Sequence, residues 1–440
     1  MLPRLLALGF VLLVGSQLVP SAAASGPPTG PDVSKYQHDS GHAINWTAVR
    51  RSGQSFAFIK ASGHTDRVDP WFAREWAAAG RAGIARGAYH YAAPSAAPSV
   101  ARSAQAQADL VVNTVGSTRE KNDLGIVLDL EDTGGLGPSQ LASWTHAFLD
   151  RVETRTGRVP ILYTYVSFWS NAMANNRSFG AYPLWLARYG ARPAPLAGWS
   201  QWTFWQHTSS GHLPGIEGTV DQNVMCCGPG TLAALADGRS SEITKLWRRL
   251  GGASGRLGLP LGTEQPVAGG WAQTFQKGLI ATTKAHGTHA VLGHMYDRYR
   301  RTPSVGVPIA EQRTHGLGVE TQSFADGVIV YSPQVGAHAV RGVIATRWLS
   351  DGGLRSQEGL PYAESAGVGQ QFVGGGLYKT RSGVHVVPGA IRDRYEELGG
   401  PRSVLGLPDS EAHLVGATRV VSFEIGSLVE LVIAGKHVVV

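Results

Sequence analysis

Residues 125–131 read Gly125-Ile126-Val127-Leu128-Asp129-Leu130-Glu131. An apolar run leads into two carboxylates at i and i+2. Side chains alternate across a strand, so Asp129 and Glu131 share one face. If the strand belongs to a β/α barrel, its C-terminal end lies at the mouth, where such barrels carry their chemistry. Two neighbouring carboxylates oppose each other's ionisation, so one is expected to keep its proton into the neutral range. The plainer reading is a capping or surface pair, because Asp132 and Thr133-Gly134 follow directly.

The surrounding sequence supports the barrel. Strand-like runs are expected at 31–36, 56–62, 85–91, 125–131, 159–165, 183–189, 204–208 and 219–224. Helices are expected near 45–51, 70–82, 99–115 and 138–156. The last is the clearest: Pro138 suits a first turn, Leu141, Trp144, Phe148 and Val152 form one stripe, and Gly157 follows as a stop. Eight strands with helices between the early ones predict a closed β/α barrel. Beyond Val159 the connections are short and poorly helical, so an irregular barrel is expected. Two further aspartates sit in the outermost strands, Asp32 in the first and Asp221 in the last. A closed barrel makes those strands neighbours, so four carboxylates can converge on one mouth. Paired carboxylates favour carbohydrate hydrolysis. Metal binding is the rival, resting on His90 and His207 near strand ends.

Aromatic residues point the same way. Nine of the twelve tryptophans precede residue 240. Tyr89, Tyr91, Tyr163, Tyr165, Trp185, Tyr189 and Trp205 lie in or beside strand candidates. Aromatic rings with a polar tip suit the apolar faces of sugars, and they also serve as ordinary core.

The second half of the chain repeats. Leu257-Gly258-Leu259-Pro260, Val305-Gly306-Val307-Pro308, Glu358-Gly359-Leu360-Pro361 and Leu405-Gly406-Leu407-Pro408 recur with a later Phe-x-x-Gly. The phenylalanines are 275, 324, 372 and 423, at spacings of 49, 48 and 51. Such a period predicts four stacked units, each with a short helix, a Gly-Pro turn and a hairpin. An acidic residue follows each proline: Glu264, Glu311, Glu364 and Glu411. It is read equally as a turn cap or a ligand contact.

Composition bounds the rest. The chain has 440 residues, 43% hydrophobic and 16% charged, which excludes global disorder. The 57 glycines have no three-residue period, which excludes collagen. The formal charge of +7 is spread over both halves without a basic run, so no nucleic-acid partner is expected. Residues 1–24 carry Arg4, an apolar run from Leu5 to Val14 and Ser21-Ala22-Ala23-Ala24, the order of a secretory signal. A secreted, extracellular or wall-associated protein without stable membrane insertion is expected. Cys226 and Cys227 are adjacent: they bond to each other, cross-link chains, or serve as a local structural feature. Two ligands are too few for structural zinc. No cofactor or metal is expected.

At the barrel residues the sequence resembles the family 25 glycoside hydrolases, the secreted muramidases or lysozymes. Asp32-Val33-Ser34-x-Tyr36-Gln37, Phe58-Ile59-Lys60-Ala61-Ser62, Tyr89-His90-Tyr91 and Leu128-Asp129-Leu130-Glu131 fall in the family's order. Leu184-Trp185-Leu186-Ala187-Arg188-Tyr189, Trp205-Gln206-His207 and Val220-Asp221-Gln222-Asn223 complete the series, over roughly residues 31–236. Gly63-His64 stands where the family has Glu-Gly. The resemblance implies an α/β fold, an irregular barrel of eight strands and about five helices. It implies hydrolysis of the β-1,4 bond from N-acetylmuramic acid to N-acetylglucosamine in peptidoglycan.

Carried onto this chain, Glu131 is the general acid. Asp129 orients the substrate's 2-acetamido group, whose oxygen attacks the anomeric carbon. Asp32 and Asp221 polarise or position Asp129 and the substrate. Tyr89, Tyr91, Tyr163, Trp185, Tyr189 and Gln206 are the expected substrate-binding residues.

The repeats resemble LGFP repeats, cell-wall-associated modules, here without the phenylalanine of the name. The resemblance implies a β-rich, α+β region that holds the enzyme on the wall, through its polysaccharide. The expected organisation is signal 1–24, linker 25–30, barrel 31–237 and four repeats over 241–440. The alternatives are a wall-binding protein with a degenerate barrel and a chitinase-like barrel glycosidase.

Overall fold

The computed structural model describes residues 26–116, 118–238, 240–364, 368–433 and 436–440. The expected export signal at 1–24 lies outside the described residues. Nine strands form the first sheet: β1 Thr29–Val33, β2 Phe56–Gly63, β3 Arg67–Val68, β4 Ala85–Tyr91, β5 Val127–Asp129, β6 Ile161–Tyr165, β7 Leu184–Ala187, β8 Phe204–Gly211 and β9 Val220–Met225. Their order is β1-β9-β8-β7-β6-β5-β4-β2, and β1 pairs with β2 to close the barrel. The short β3 hangs as a hairpin on β2. β1 begins at Thr29, inside the stretch expected as linker.

Period-2 alternation sorts the strands into two layers. Phe56, Phe58, Tyr163, Trp185 and Phe204 fill the interior. Ile59, Ala61, Leu128, Leu162, Leu184 and Leu186 face outward to the helices. Those helices are α1 Trp46–Arg51, α2 Phe72–Arg81, α3 Val100–Val115, α4 Pro138–Thr156, α5 Val166–Asn171 and α6 Pro229–Leu235. In α4 the stripe of Leu141, Trp144, Phe148 and Val152 is fully buried, and Gly157 ends the helix at φ 69°. A left-handed residue there suits glycine. The two short helices α5 and α6 were not expected.

Two strand details matter for the site. The ladder of β5 stops at Asp129, so Glu131 lies just past the strand rather than in it. The amide of Leu130 still donates to the Tyr163 carbonyl, at 3.0 Å, which holds the extended course. And β9 runs antiparallel to both neighbours. The 212–219 connection is too short for a parallel crossover, so the chain must turn back. The N-terminal end of β9 therefore lies at the mouth, and Asp221 stands opposite Asp32 in register.

The second half forms four four-stranded antiparallel sheets. Each Phe-x-x-Gly is a two-residue hairpin: Phe275 pairs with Gly278, Phe324 with Gly327, Phe372 with Gly375 and Phe423 with Gly426. Each Leu-Gly-x-Pro or its variant sets a proline beside that phenylalanine, Pro260 with Phe275 and so on through Pro408 with Phe423. The motif glycines all take positive φ, from 69° to 88°. That conformation explains why glycine recurs there.

Helices α7 Glu242–Arg249, α8 Gly293–Tyr299, α9 Gly342–Ser350 and α10 Gly389–Glu397 separate the sheets. The last three each pack against the sheet before and the sheet after. The indole of Trp247 donates to the Gly258 carbonyl at 2.8 Å, and Trp348 donates to Gly359 at 3.2 Å.

Three of the four acidic residues of the repeats, Glu264, Glu311 and Glu411, pair with side chains earlier in the chain rather than capping their own turns. They reach back along the chain. Glu264 accepts from the Ser241 hydroxyl at the start of α7. Glu311 lies 3.0 Å from His289 Nδ1 of the preceding unit. Glu411 accepts from Arg347 at 2.6 Å and from the Val386 amide at 3.2 Å.

The first unit docks on the end of the barrel opposite the mouth. Arg248 donates to both carboxylate oxygens of Glu153 on α4, and its guanidinium lies 3.9 Å from the Tyr182 ring centroid. The amide of Ser254 donates to the Gly180 carbonyl at 3.0 Å. A side chain at Gly252 would meet the Ala181 carbonyl oxygen at 2.1 Å, so this approach needs glycine. Cys226 and Cys227 are bonded to each other and pack, with Val159, on the core of this unit.

Candidate active site

All ten residues singled out for the site line one cleft of about 250 Å³ at the barrel mouth. Asp32 comes from the end of β1, Asp129 from the end of β5, Glu131 from just beyond it, and Asp221 from the start of the reversed β9. They form two carboxyl pairs. Burial, then the Asp221 charge, pushes the Asp32 carboxyl far above the usual carboxylate range. Hydrogen bonds from Asn223 at 2.8 Å and Gln206 at 2.9 Å oppose that rise. Burial also raises Asp221, against a hydrogen bond to Asp32.

In the second pair, burial and then the Glu131 charge push Asp129 far up. Burial raises Glu131 as well, while hydrogen bonds with Tyr163 and Asp129 act against it. Like charges in a dry site cannot both ionise readily, so each pair retains a proton well above the ordinary carboxylate range. Lys60, between the rings of Tyr91 and Tyr89, lowers both members of the second pair.

A polar network fixes the floor. The Tyr163 hydroxyl donates to Gln206 Oε1 at 3.0 Å and Tyr189 to the same oxygen at 3.3 Å. The Trp185 indole donates to Asn223 Oδ1 at 2.7 Å. Gln206 and Asn223 then both face Asp32, so their amide orientations follow from their partners. Trp185 stacks on Phe58 with centroids 4.1 Å apart. At 2% exposure Trp185 belongs to the floor, and Tyr163 is nearly as buried. The open aromatic surface is at the rim: Tyr189 is 56% exposed and Tyr36 66%.

Sequence reasoning missed Tyr36, Lys60 and Asn223 as site residues. Each carries a signal. Lys60 stands two residues after Phe58 on an otherwise apolar strand, so it shares the inward face. Asn223 stands two after Asp221 on the same face of β9. Tyr36 stands in the turn after Asp32.

Neither histidine of the rival metal reading lines the cleft. His90 is buried between the sheet and α3, with Ser62 Oγ at 2.9 Å and Gln107 Oε1 at 3.0 Å. Burial lowers it to about 4, so it is neutral. Among the described residues no three or more His, Cys, Asp or Glu side chains are grouped to hold a metal ion.

Residues 31–216 match the family model described as Glycosyl hydrolases family 25, and 257–303, 305–356 and 359–403 match the LGFP repeat. The fourth unit, beginning at Leu405, lies outside the matched segments but carries the same sheet. Lysozyme M1 of Streptomyces globisporus is 36% identical over 217 residues, 47% of this chain and 71% of that protein. The N,O-diacetylmuramidase of Chalaropsis sp is 32% identical over 209 residues, 44% of this chain and 95% of that protein. The crystal structure of the bacterial lysozyme from Streptomyces coelicolor has 34% identity and a TM-score of 0.45, covering 50% of this chain and all of that one. Identity of 36% and 32% across most of the length of Lysozyme M1 and the N,O-diacetylmuramidase carries the conclusion that the chain belongs to the glycosyl hydrolases of family 25.

Proposed function

We propose that the protein is a secreted muramidase that cleaves the β-1,4 bond from N-acetylmuramic acid to N-acetylglucosamine in peptidoglycan, held on the wall by its repeats. Two buried carboxyl pairs facing one cleft carry this reading, because such pairs cost stability and serve chemistry. The relatives named lysozyme and N,O-diacetylmuramidase support the substrate. The proposed organisation is signal 1–24, linker 25–30, catalytic unit 31–237 and repeats 241–440.

Glu131 is the proton donor to the leaving oxygen. As the bond from the anomeric carbon to that oxygen breaks, the substrate's acetamido oxygen bonds to the same carbon. Asp129 holds the acetamido N–H. Water then opens the cyclic intermediate and returns a proton to Glu131. This is the substrate-assisted exception to the two-carboxylate scheme. Asp32, fixed by Gln206 and Asn223, and Asp221 set the charge beside Asp129. Tyr36 and Tyr189 flank the sugar chain at the rim.

The wall polymer is the proposed partner of both halves, peptidoglycan for the barrel and wall polysaccharide for the repeats. Mass spectrometry of digested peptidoglycan tests the reading. Products with N-acetylmuramic acid at the new reducing end are expected. N-acetylglucosamine there would move the enzyme to another glycosidase class, and undigested walls would leave a binding protein.

A further inference from the structure

Lys60 is the one cation among the described residues that line the cleft. It follows Phe56 and Phe58 on the inward face of β2, where the other inward positions are aromatic. The β2–β4 ladder shifts register between Lys60 and Ser62, so a bulge falls at the end of the strand that carries the ammonium group. Bulges near active sites re-aim side chains. Its Nζ lies 5.0 Å from the Tyr91 ring centroid and 5.8 Å from that of Tyr89. Its ammonium group therefore lies over two rings of β4, and Tyr91 pairs in register with Asp129.

We propose that Lys60 is the counter-charge of the Asp129–Glu131 pair, offsetting the second negative charge that the pair acquires when Glu131 passes its proton to the leaving oxygen. The proposal rests on the reading of Glu131 as proton donor. In the resting site the pair holds one proton and one negative charge. During cleavage that proton goes to the leaving oxygen, the acetamido oxygen bonds to the anomeric carbon, and the pair is left with two negative charges. Two anions side by side in a buried site are unfavourable without a nearby cation. The other groups facing the pair cannot supply one: Asp32 and Asp221 are acids, Tyr89, Tyr91, Tyr163 and Tyr189 are neutral, and His90 points outward. His64, at the end of β2, lies against Tyr91 at 5.8 Å and does not line the cleft. Lys60 thus acts through the pair, as a positioning residue.

The test is the pH dependence of kcat and KM for Lys60→Met, Lys60→Gln and Lys60→Arg beside Glu131→Gln, on soluble peptidoglycan fragments. A cation beside the pair favours its ionised forms, so removing it raises both titrations. For Lys60→Met and Lys60→Gln, kcat should fall about tenfold or more. KM should stay near the parent value, and both limbs of the kcat profile should move to higher pH. Lys60→Arg should restore most of the rate and the profile. Unmoved limbs, or a raised KM with kcat unchanged, would overturn the proposal and make Lys60 a packing or substrate contact. Two uncharged variants guard against a loss that comes only from misfolding, and the melting temperature of each is read alongside. If Glu131→Gln stays active, the donor assignment falls and the counter-charge role falls with it. If Glu131→Gln is inactive while Lys60→Met behaves as parent, only the counter-charge role falls.

Discussion

Acids in the barrel cleft face other acids, whereas three of the acids that mark the repeats face donors. Asp32 stands against Asp221 and Asp129 against Glu131. Glu264, Glu311 and Glu411 each meet a hydroxyl, an imidazole or a guanidinium. Structural acids elsewhere in the barrel follow the second pattern: Asp123 pairs with Arg86 and Asp109 with Arg151. The contrast separates function from scaffold on physical grounds. A like-charged pair in a dry site lowers stability, so it signals a use. An acid with a donor only joins two parts of the fold.

The largest expected effect lies in the cleft. Glu131→Gln keeps the shape and removes the transferable proton. General acid catalysis typically contributes about 10²–10⁴-fold, so turnover on peptidoglycan should fall by that much while wall binding is kept. The matching change in a repeat, Glu311→Gln, should leave turnover alone. Near-parent turnover in Glu131→Gln would erase the contrast between the two regions.

Next comes the loss of the repeats. A chain ending at Asp237 keeps every cleft residue, so it should still cleave short soluble muropeptide chains. Lysis of intact walls should drop, because a linked binding module raises the local concentration of enzyme at its polymer. The barrel should also melt lower than a chain ending at Pro303, since Glu153 loses Arg248 and the surface around Val159 and Cys226 loses its cover. A body of this size shifts about 2–4 °C per kcal/mol. Equal melting of the two chains would show that the seam carries no stability. Equal lysis of walls by the short and full chains would remove the anchoring role.

The two regions were unequally legible. In the barrel, short apolar runs located all eight strands, because burial on both faces writes itself into local sequence, and period 2 placed Asp129 and Glu131 together. The reversal of β9 was not legible, since direction depends on connection length rather than on residue type. Asp221 was nevertheless placed at a strand end, which the reversal turns into the mouth. Lys60 was passed over because one cation on an apolar strand carries no partner in its own segment.

In the repeats the motif glycines, prolines and phenylalanines were read as turns and hairpins, and they are. The role of the acids was not legible, because their partners Ser241, His289 and Arg347 lie 22 or more residues earlier in the chain. Local chemistry was readable, and contacts between distant segments were not.

A smaller effect tests the cost side of the contrast. Asp129 titrates above its unfolded value, so its charged form opposes folding. That cost is absent below the unfolded titration, near pH 4, and is fully present only above the raised folded-state titration. Asp129→Asn should therefore stabilise the fold at neutral pH by about 0.5–2 kcal/mol, the usual range for one stabilising substitution, and raise the melting temperature while abolishing activity. Thermal melts across pH should show the gain shrinking as the pH falls towards 4. A variant less stable than the parent at neutral pH would mean that the hydrogen bonds around Asp129 outweigh the repulsion.

The smallest effect belongs to the seam between the first and second repeats. Glu311 has a side chain 64% exposed and His289 one 16% exposed, so solvent screens much of their attraction. Exposed pairs of this kind contribute about 0–1 kcal/mol. Glu311→Gln keeps an acceptor for His289 Nδ1 and removes only the charge, so the melting temperature should move by a degree or two at most. Binding to purified walls should be unchanged. Glu411 has two ties, to Arg347 and to the Val386 amide, so Glu411→Ala should lower stability more than Glu311→Gln does. The informative result is the opposite one. If Glu311→Gln leaves melting intact and yet releases the protein from walls in a pull-down, the acid contacts the polymer. The seams between units would then be the binding surface, and the division between costly acids in the barrel and joining acids in the repeats would no longer hold.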